Sequence, residues 1–159
     1  MNAPAPPAPT IARAATVPSA PRKLFVNLPV ADLQRSIRFF EGLGFEFNPQ
    51  FTDATATCML VGTDAYVMLL THAKFDSFST RPRADARRTA GAGYAVAYES
   101  RAAVDAIADR ALATGGMPSA PPQDHGFMYE RSFLDPDGHH WDAFWMDPAA
   151  IPGDPEASR

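Results

Sequence analysis

The stretch of residues 24–44, LFVNLPVADLQRSIRFFEGLG, decides the fold because it holds a strand, a helix cap and a helix in succession. Its first part, Leu24–Val30, is mostly apolar and predicts a strand. Asp32 is a good N-cap, and apolar residues then recur at the i, i+4, i+7 spacing of an amphipathic helix. Those helix residues are Leu33, Ile37 and Phe40. Gly42 and Gly44 predict where the helix ends, because glycine accepts left-handed backbone geometry.

The rest of the chain extends this unit and then repeats it. Short strands are predicted after the first helix, around residues 45–47, 55–61 and 65–71. A second strand–helix unit follows, with a strand at Tyr94–Glu99, Ser100 as the helix N-cap and Gly115-Gly116 as the stop. Its remaining strands are predicted within the proline-rich residues 118–122 and at 127–134 and 140–146. The sequence therefore predicts an α+β fold built from two tandem βαβββ modules.

Composition limits the class of protein. The chain has 159 residues, of which 46% are hydrophobic and 20% charged, and this suits one globular domain. The net charge of −4 gives no electrostatic reason to expect binding to nucleic acid or to anionic membranes. No segment approaches the ~20 apolar residues that span a bilayer. The single cysteine, Cys58, excludes an internal disulfide and fits a reducing compartment, so we expect a cytoplasmic protein. Cys58 lies in an apolar run, so we expect its thiol to be buried.

The domain boundaries also follow from composition. Residues 1–21 are rich in alanine and proline and predict a disordered tail, and residues 148–159 predict a flexible one. The single domain between them spans residues 22–147. Its two modules lie at about residues 23–72 and 92–147. The linker at 73–91 carries several arginines, which fit either a solvated connection or a site for phosphate or carboxylate. These are Arg81, Arg83, Arg87 and Arg88.

Two motifs resemble a known family. The segment Asn27–Leu33, NLPVADL, is similar to the first-module signature of the vicinal oxygen chelate superfamily, and Arg131–Asp142, RSFLDPDGHHWD, is similar to its closing signature. This superfamily includes glyoxalase I, bleomycin-resistance proteins and extradiol dioxygenases. The likeness covers about residues 23–147. It implies that the two modules form a cupped mixed sheet around a small-molecule pocket, and that the protein is a homodimer.

The resemblance also implies where a metal would bind. Metalloenzymes of the superfamily hold a divalent ion with ligands on the first and last strands of each module. Carried over to this chain, those positions fall on Phe25, Met68, Gly93 or Ala95, and Asp142. Only Asp142 has a hard oxygen donor among them, and Asn27, on the same strand face as Phe25, is a modest ligand. We therefore expect the usual set of metal ligands to be largely missing, and we expect no tightly bound metal cofactor rather than a divalent ion.

A different metal site remains a hypothesis. His140 and Asp142 are two residues apart, so they share one face of a strand. His125 precedes the strand that should pair with theirs, and the three side chains would suit a divalent metal if the register brings them together. Alternatively, these histidines are solvated residues near a tight turn, or they contact a ligand without metal. His140 and His125 are also the candidate catalytic groups, as acid or base.

The remaining pocket candidates are mostly apolar residues on predicted strands. Alternation places Asp142 and Phe144 on one face, and the cup would then be lined by six candidate residues. They are Phe25, Asn27, Met68, Tyr129, Arg131 and Phe144. Arg131 is either an anchor for an anionic ligand or a surface arginine paired with Asp135 or Glu130.

These observations predict a protein that binds a small organic molecule in an apolar cupped pocket. Two alternatives stay open. The first is a metal-dependent lyase or isomerase of the glyoxalase I kind, or an extradiol-type dioxygenase. The second is a binding protein that sequesters a drug-like molecule without chemistry. Whether the protein is an enzyme, and which molecule it binds, does not follow from the sequence.

Overall fold

The computed structural model describes residue 20 and residues 22–150. Almost all of the predicted N-terminal tail, and residues 151–159 of the predicted C-terminal tail, therefore lie outside the described residues. The predicted C-terminal tail begins with a short 3₁₀ turn at Pro148–Ala150. Within the described part of the chain, no helix is long and apolar enough to cross a membrane.

The first module follows the predicted order. It contains β1 (Leu24–Val30), α1 (Leu33–Gly42), β2 (Glu46–Asn48), β3 (Ala56–Leu60) and β4 (Ala65–Thr71). The strand order in its sheet is β1-β4-β3-β2, with β1 parallel to β4 and the other neighbours antiparallel. The Asp32 side chain accepts a hydrogen bond from the Arg35 backbone N–H at 3.0 Å, so the predicted N-cap is confirmed.

The second module repeats this arrangement after a short helix in the linker. That helix is α2 (His72–Asp76), and the module contains β5 (Gly93–Ala97), α3 (Arg101–Ala113), β6 (Met117–Pro118), β7 (Gln123–Asp124), β8 (Met128–Leu134) and β9 (His140–Met146). The strand order is β5-β9-β8-β6, and β7 also pairs with β8. Ser100 caps α3 by accepting from the Ala103 N–H at 3.1 Å, as predicted.

The proline-rich stretch departs from the prediction. In place of one strand within residues 118–122, two very short strands, β6 and β7, flank Ser119–Pro122. Two consecutive prolines in that segment, Pro121 and Pro122, have no backbone N–H to donate to β8, which explains why the pairing is interrupted there.

The two modules share one hydrophobic core. On α1, the Phe39 ring lies 6.4 Å from the Phe133 ring on β8, between centroids, and the Phe40 ring lies 5.1 Å from the Trp141 ring on β9. Each sheet therefore has a helix-side face that turns to this core and an opposite face, which we call the open face. The predicted fold class is confirmed, with the strands arranged as two mixed sheets within the chain.

A turn from the second module holds the beginning of α1. Asp137, in the turn between β8 and β9, is only 8% exposed. Its carboxylate accepts from the Ala31 N–H at 2.9 Å, from Arg35 Nη2 at 3.0 Å and from the Ser36 hydroxyl at 3.2 Å. Each of these hydrogen bonds joins the turn of the second module to the beginning of α1 in the first. They therefore fix the orientation of the two modules.

Candidate functional site

The open face of the first sheet carries three of the predicted pocket residues. Asn27 on β1 and Met68 on β4 are register partners, and Phe25 pairs in the same way with Tyr66. The rings of Phe25 and Tyr66 are stacked, with centroids 4.7 Å apart and planes inclined by 14°. Phe25 is 50% exposed, so one aromatic face remains available to a planar partner.

The open face of the second sheet carries a chain of polar side chains. His140 Nε2 lies 2.7 Å from Asp142 Oδ1, and the Ser132 hydroxyl donates to the same oxygen at 2.5 Å. At the other side of the ring, His140 Nδ1 lies 3.1 Å from the Ser119 hydroxyl. An ionised Asp142 only accepts hydrogen bonds, so a neutral His140 donates from Nε2 and accepts at Nδ1.

Neither serine was identified from the sequence. Ser132 is the register partner of Asp142. That pairing could have been found by folding β8 onto β9 around the Asp-Pro-Asp-Gly turn. Ser119 lies in the proline-rich loop, and no sequence signal points from that loop to His140. Phe144 also lies on this face, next to Glu130 on β8.

One cavity joins the two modules. It has a volume of about 430 Å³ and is lined by Asn27 of the first module and His140 of the second. Pro29 and the α2 residue Phe75 form further parts of its wall. The cavity is the place where two predicted site residues, far apart in the chain, come together.

The linker covers this cavity and adds positive charge to it. Of the four linker arginines, Arg83, Arg87 and Arg88 line the cavity. Arg83 Nε lies 3.2 Å from the carboxylate of Asp76 in the linker helix α2, and α2 contacts β1 of the first module. Arg87 Nη2 donates to the Pro136 carbonyl of the second module at 3.0 Å. The linker is therefore held across both modules, and this favours the interpretation of its arginines as part of a site.

The neighbouring histidines have different surroundings. His139 Nε2 lies 2.7 Å from the Pro29 carbonyl oxygen, which can only accept, so this nitrogen carries the proton. Its ring also packs edge-on against Tyr94, with centroids 6.5 Å apart. Burial, and to a smaller extent the Asp135 charge, raises the pKa of the Tyr94 hydroxyl, which therefore stays neutral. His139 is fixed in the framework, whereas His140 has its ring within the polar chain of the open face.

Two predicted pocket residues lie elsewhere. Tyr129 and Arg131 are on the helix-side face of β8, where the Tyr129 hydroxyl donates to Asp105 at 2.8 Å and Arg131 donates to Asp109 at 2.6 Å. The prediction that they share a face with Phe144 is wrong, because the register pairs Phe144 with Glu130. Arg131 also pairs with neither Asp135 nor Glu130 in the described structure: its carboxylate partners belong to α3.

The structure does not bring His125 to His140. His125 follows β7, whose Asp124 pairs with Tyr129, whereas His140 pairs with Leu134 at the other end of β8. Five residues of extended strand separate these points, or about 17 Å. Across residues 22–150, no group of three or more His, Cys, Asp or Glu side chains is placed to hold a metal ion. The predicted site of His125, His140 and Asp142 is therefore not assembled.

The residues at the inherited metal positions do not fit a divalent ion. Phe25, Met68 and the glycine or alanine on β5 lack a hard donor atom. Asp142 has one, but its Oδ1 is hydrogen-bonded to His140 and Ser132. A second copy of the chain would bring the same residue types to these positions, so pairing of modules between copies would not supply the missing donors.

Comparison with known proteins places this fold in a family. A family model described as the Glyoxalase/Bleomycin resistance protein/Dioxygenase superfamily matches residues 24–143. A search of the curated proteins finds no match.

Solved structures agree at the level of the fold. A hypothetical protein from S. aureus is 22% identical, with a TM-score of 0.68 over 80% of this chain and 95% of that chain. A glyoxalase-related enzyme from Fulvimarina pelagi is 20% identical, with a TM-score of 0.67 over 82% of this chain and 91% of that one. A bleomycin resistance determinant encoded on the transposon Tn5 is 17% identical, with a TM-score of 0.56 over 80% and 99%. The motifs, the duplicated module and the family model agree, and the chain belongs to the Glyoxalase/Bleomycin resistance protein/Dioxygenase superfamily.

Proposed function

We propose that this protein binds a small organic molecule in a pocket that starts at the cavity between Asn27 and His140 and continues over the open faces of the sheets. The observation that carries the proposal is that residues of both modules line the same cavity. Its volume of about 430 Å³ is within the ordinary range for small-molecule sites.

The chemistry of the lining suggests what kind of molecule fits. Beyond the cavity lining, on the open face of the first sheet, the stacked rings of Phe25 and Tyr66 offer a platform for a planar, apolar group. The Asn27 amide can donate and accept hydrogen bonds, and the linker arginines favour a partial or full negative charge. A planar molecule with one polar or anionic end meets all of these requirements.

A second copy of the chain completes the pocket in this proposal. β1 and β5 are the outer strands of their sheets, each paired on one side only among the described residues. Leu24 and Phe25 on β1 are 62% and 50% exposed, which is unusual for such large apolar side chains at a sheet edge. A homodimer that pairs β1 of one copy with β5 of the other would cover both edges and enclose the open faces.

The hydrogen-bonded side chains around His140 would also allow a proton-transfer reaction on the bound molecule. A histidine that is hydrogen-bonded to a carboxylate is suited to accept and return a proton, and His140 is also at the cavity wall. In this proposal Asp142 orients His140 and does not hold a metal. A metal-dependent lyase, isomerase or dioxygenase is the less supported alternative, because the inherited positions lack donors. Sequestration without chemistry is the other alternative, and the exposed aromatic platform is the observation that favours it.

Binding can be tested with a panel of planar aromatic fragments, neutral and carboxylated, screened by ligand-observed NMR. We expect binders among the carboxylated fragments, and we expect Asn27→Ala and His140→Ala each to weaken them at least tenfold. Tyr129→Phe is the matched control, because Tyr129 lies on the helix-side face and contacts Asp105. Binding that Tyr129→Phe weakens as much as Asn27→Ala does would refute the assigned pocket.

The alternatives separate in two further measurements. Analysis of the bound fragments by mass spectrometry distinguishes a binder, which returns them unchanged, from an enzyme. A thermal shift on adding Zn²⁺, Ni²⁺, Mn²⁺ or Fe²⁺ that disappears in Asp142→Ala would favour the metalloenzyme and count against this proposal.

A further inference from the structure

A second cavity, separate from the proposed pocket, lies between α1 and the turn that joins β8 to β9. It has a volume of about 690 Å³, and α1 contributes Arg35, Arg38 and Phe39 to its wall. Arg87, Leu134 and Gly138 lie on the boundary, since they line this cavity and the one described above.

Positive charge dominates this second cavity. Three arginines line it, and none of the described lining residues is acidic. One of them, Arg35, is paired with Asp137 behind the wall, at 3.0 Å. Within residues 22–150, Arg38 has neither an ion pair nor a hydrogen bond to a side chain, and the Arg87 guanidinium donates only to a backbone carbonyl. Two of the three guanidinium groups therefore have no counter-charge in the described structure.

The Arg35 side chain shows a second sign of an incomplete site. Its Nε is buried and has no hydrogen-bond partner among the described residues. Buried polar atoms are almost always hydrogen-bonded, so the chain leaves this guanidinium incompletely satisfied. Nε itself is out of reach of solvent, and a bound partner would meet the exposed part of the Arg35 side chain, of which 37% is exposed. An oxyanion is the natural one, because the planar guanidinium matches carboxylate and phosphate oxygens.

The position of Arg87 is set by a close contact of the backbone. Gly138 has a positive φ of 94°, and a Cβ built there would lie 3.0 Å from the Ala86 carbonyl oxygen and 3.0 Å from the backbone N of Arg87. Only glycine permits this approach, which holds the linker against the turn next to the cavity that Arg87 lines.

The floor of the cavity is apolar. Buried Phe39, partly buried Leu134 and the 39% exposed Met117 contribute to it. An apolar floor with charged groups at the wall does not suit a free inorganic ion, which would keep its hydration shell, but it suits an anion attached to a hydrophobic body.

We propose that the cavity lined by Arg35, Arg38 and Arg87 is a second binding site that takes an organic anion, with its oxyanion on the arginines and its apolar body on Phe39, Met117 and Leu134. The site differs from the proposed pocket, which is centred on Asn27 and His140.

Isothermal titration calorimetry with 2-naphthoate and its neutral counterpart 2-naphthamide tests the proposal. We expect the carboxylate to bind, the amide to bind at least tenfold more weakly, and the carboxylate affinity to fall as salt rises. Arg38→Ala should weaken 2-naphthoate at least tenfold. Arg38 is exposed and unpaired in the described structure, so the variant should fold.

The matched control is Arg22→Ala. It removes the same charge just before β1, at the end of that strand farther from α1. It should leave the affinity unchanged. The titrations are made in the Asn27→Ala background, because the proposed pocket also takes planar carboxylates and this substitution weakens it. A loss of 2-naphthoate binding in that background would place the molecule in the other cavity and overturn the proposal. Equal affinities for the carboxylate and the amide, or equal effects of Arg38→Ala and Arg22→Ala, would overturn it as well.

Discussion

Replacement of Asp137 by alanine should destabilise the whole domain, because this carboxylate ties the turn of the second module to the beginning of α1 in the first. Asp137 is 8% exposed and accepts hydrogen bonds from the Ala31 N–H, Arg35 Nη2 and the Ser36 hydroxyl. The substitution removes all of these hydrogen bonds in one step.

The expected loss follows from the three contacts. A hydrogen bond to a charged group contributes about 1.5–3 kcal/mol. The one from Ser36 is buried and the one from Ala31 is partly buried. The ion pair counts for less, about 0–1 kcal/mol, since the Arg35 side chain is 37% exposed and solvent screens it. Removal of the carboxylate also recovers part of its desolvation cost, and Ser36 keeps a bond to the Asp32 carbonyl at 3.2 Å. The net decrease in the free energy of unfolding should be about 2–4 kcal/mol.

Urea denaturation followed by tryptophan fluorescence measures this loss, at one fixed protein concentration because association would shift the apparent stability. Asp137→Asn, which keeps an acceptor and loses the charge, should fall between wild type and Asp137→Ala. Asp64→Ala is the control: Asp64 is exposed, its side chain has no hydrogen bond to the described residues, and the change should be within about 0.5 kcal/mol. A loss for Asp137→Ala below about 1 kcal/mol, or equal to that of Asp64→Ala, would refute the role of this turn in joining the modules.

Three other predictions concern the backbone, an ion pair and the thiol. Gly116→Ala should lower the free energy of unfolding by about 1–3 kcal/mol in the same urea assay, because its methyl group would lie 2.8 Å from a backbone carbonyl oxygen of α3. The control is Gly91→Ala, which should be neutral because a methyl group there would meet nothing within 4 Å. Hydrogen bonds from Arg101 lower the pKa of Asp124 to about 2, so any stabilisation from this pair is present above the ordinary carboxyl value of 3.8 and is lost as the pH falls towards 2. Carbon-13 NMR of the carboxyl group should show this midpoint move up towards 3.8 in Arg101→Ala, and an unchanged midpoint would contradict the assignment. Cys58 is 1% exposed and burial raises the pKa of its thiol, so Ellman's reagent should react only as the chain unfolds; rapid labelling of the folded protein would contradict this.

The local features of the fold could be read from short stretches of sequence. The caps at Asp32 and Ser100 depend on residues within three positions, and so does the turn after α1, where Gly44 has a φ of 94°. Such contacts need no knowledge of the rest of the chain, because the interacting groups are already neighbours.

The assignment of residues to the site was less successful, and the reason is register. Alternation correctly separates the two faces of β8 but does not say which face turns to α3. Tyr129 and Arg131 were therefore expected beside Phe144, and they lie on the opposite face. The hypothesis that His125 meets His140 depended on register, and the pairing of β8 places His125 at the far end. A shift of one residue in register moves a side chain to the other face, so sequence spacing alone cannot decide such cases.

By itself, the sequence determined the duplicated βαβββ modules and the family, because caps, periodicity and motifs are local patterns. It also determined the absence of donor atoms at three of the positions inherited for metal binding, because residue type alone fixes that. Only the tertiary structure decided that Asn27 and His140 line one cavity and that Arg35, Arg38 and Arg87 line another. Residues of both modules and the linker meet in these places, far apart in the chain. Their meeting depends on how two sheets pack around one core, and that packing is the outcome of many weak contacts acting together.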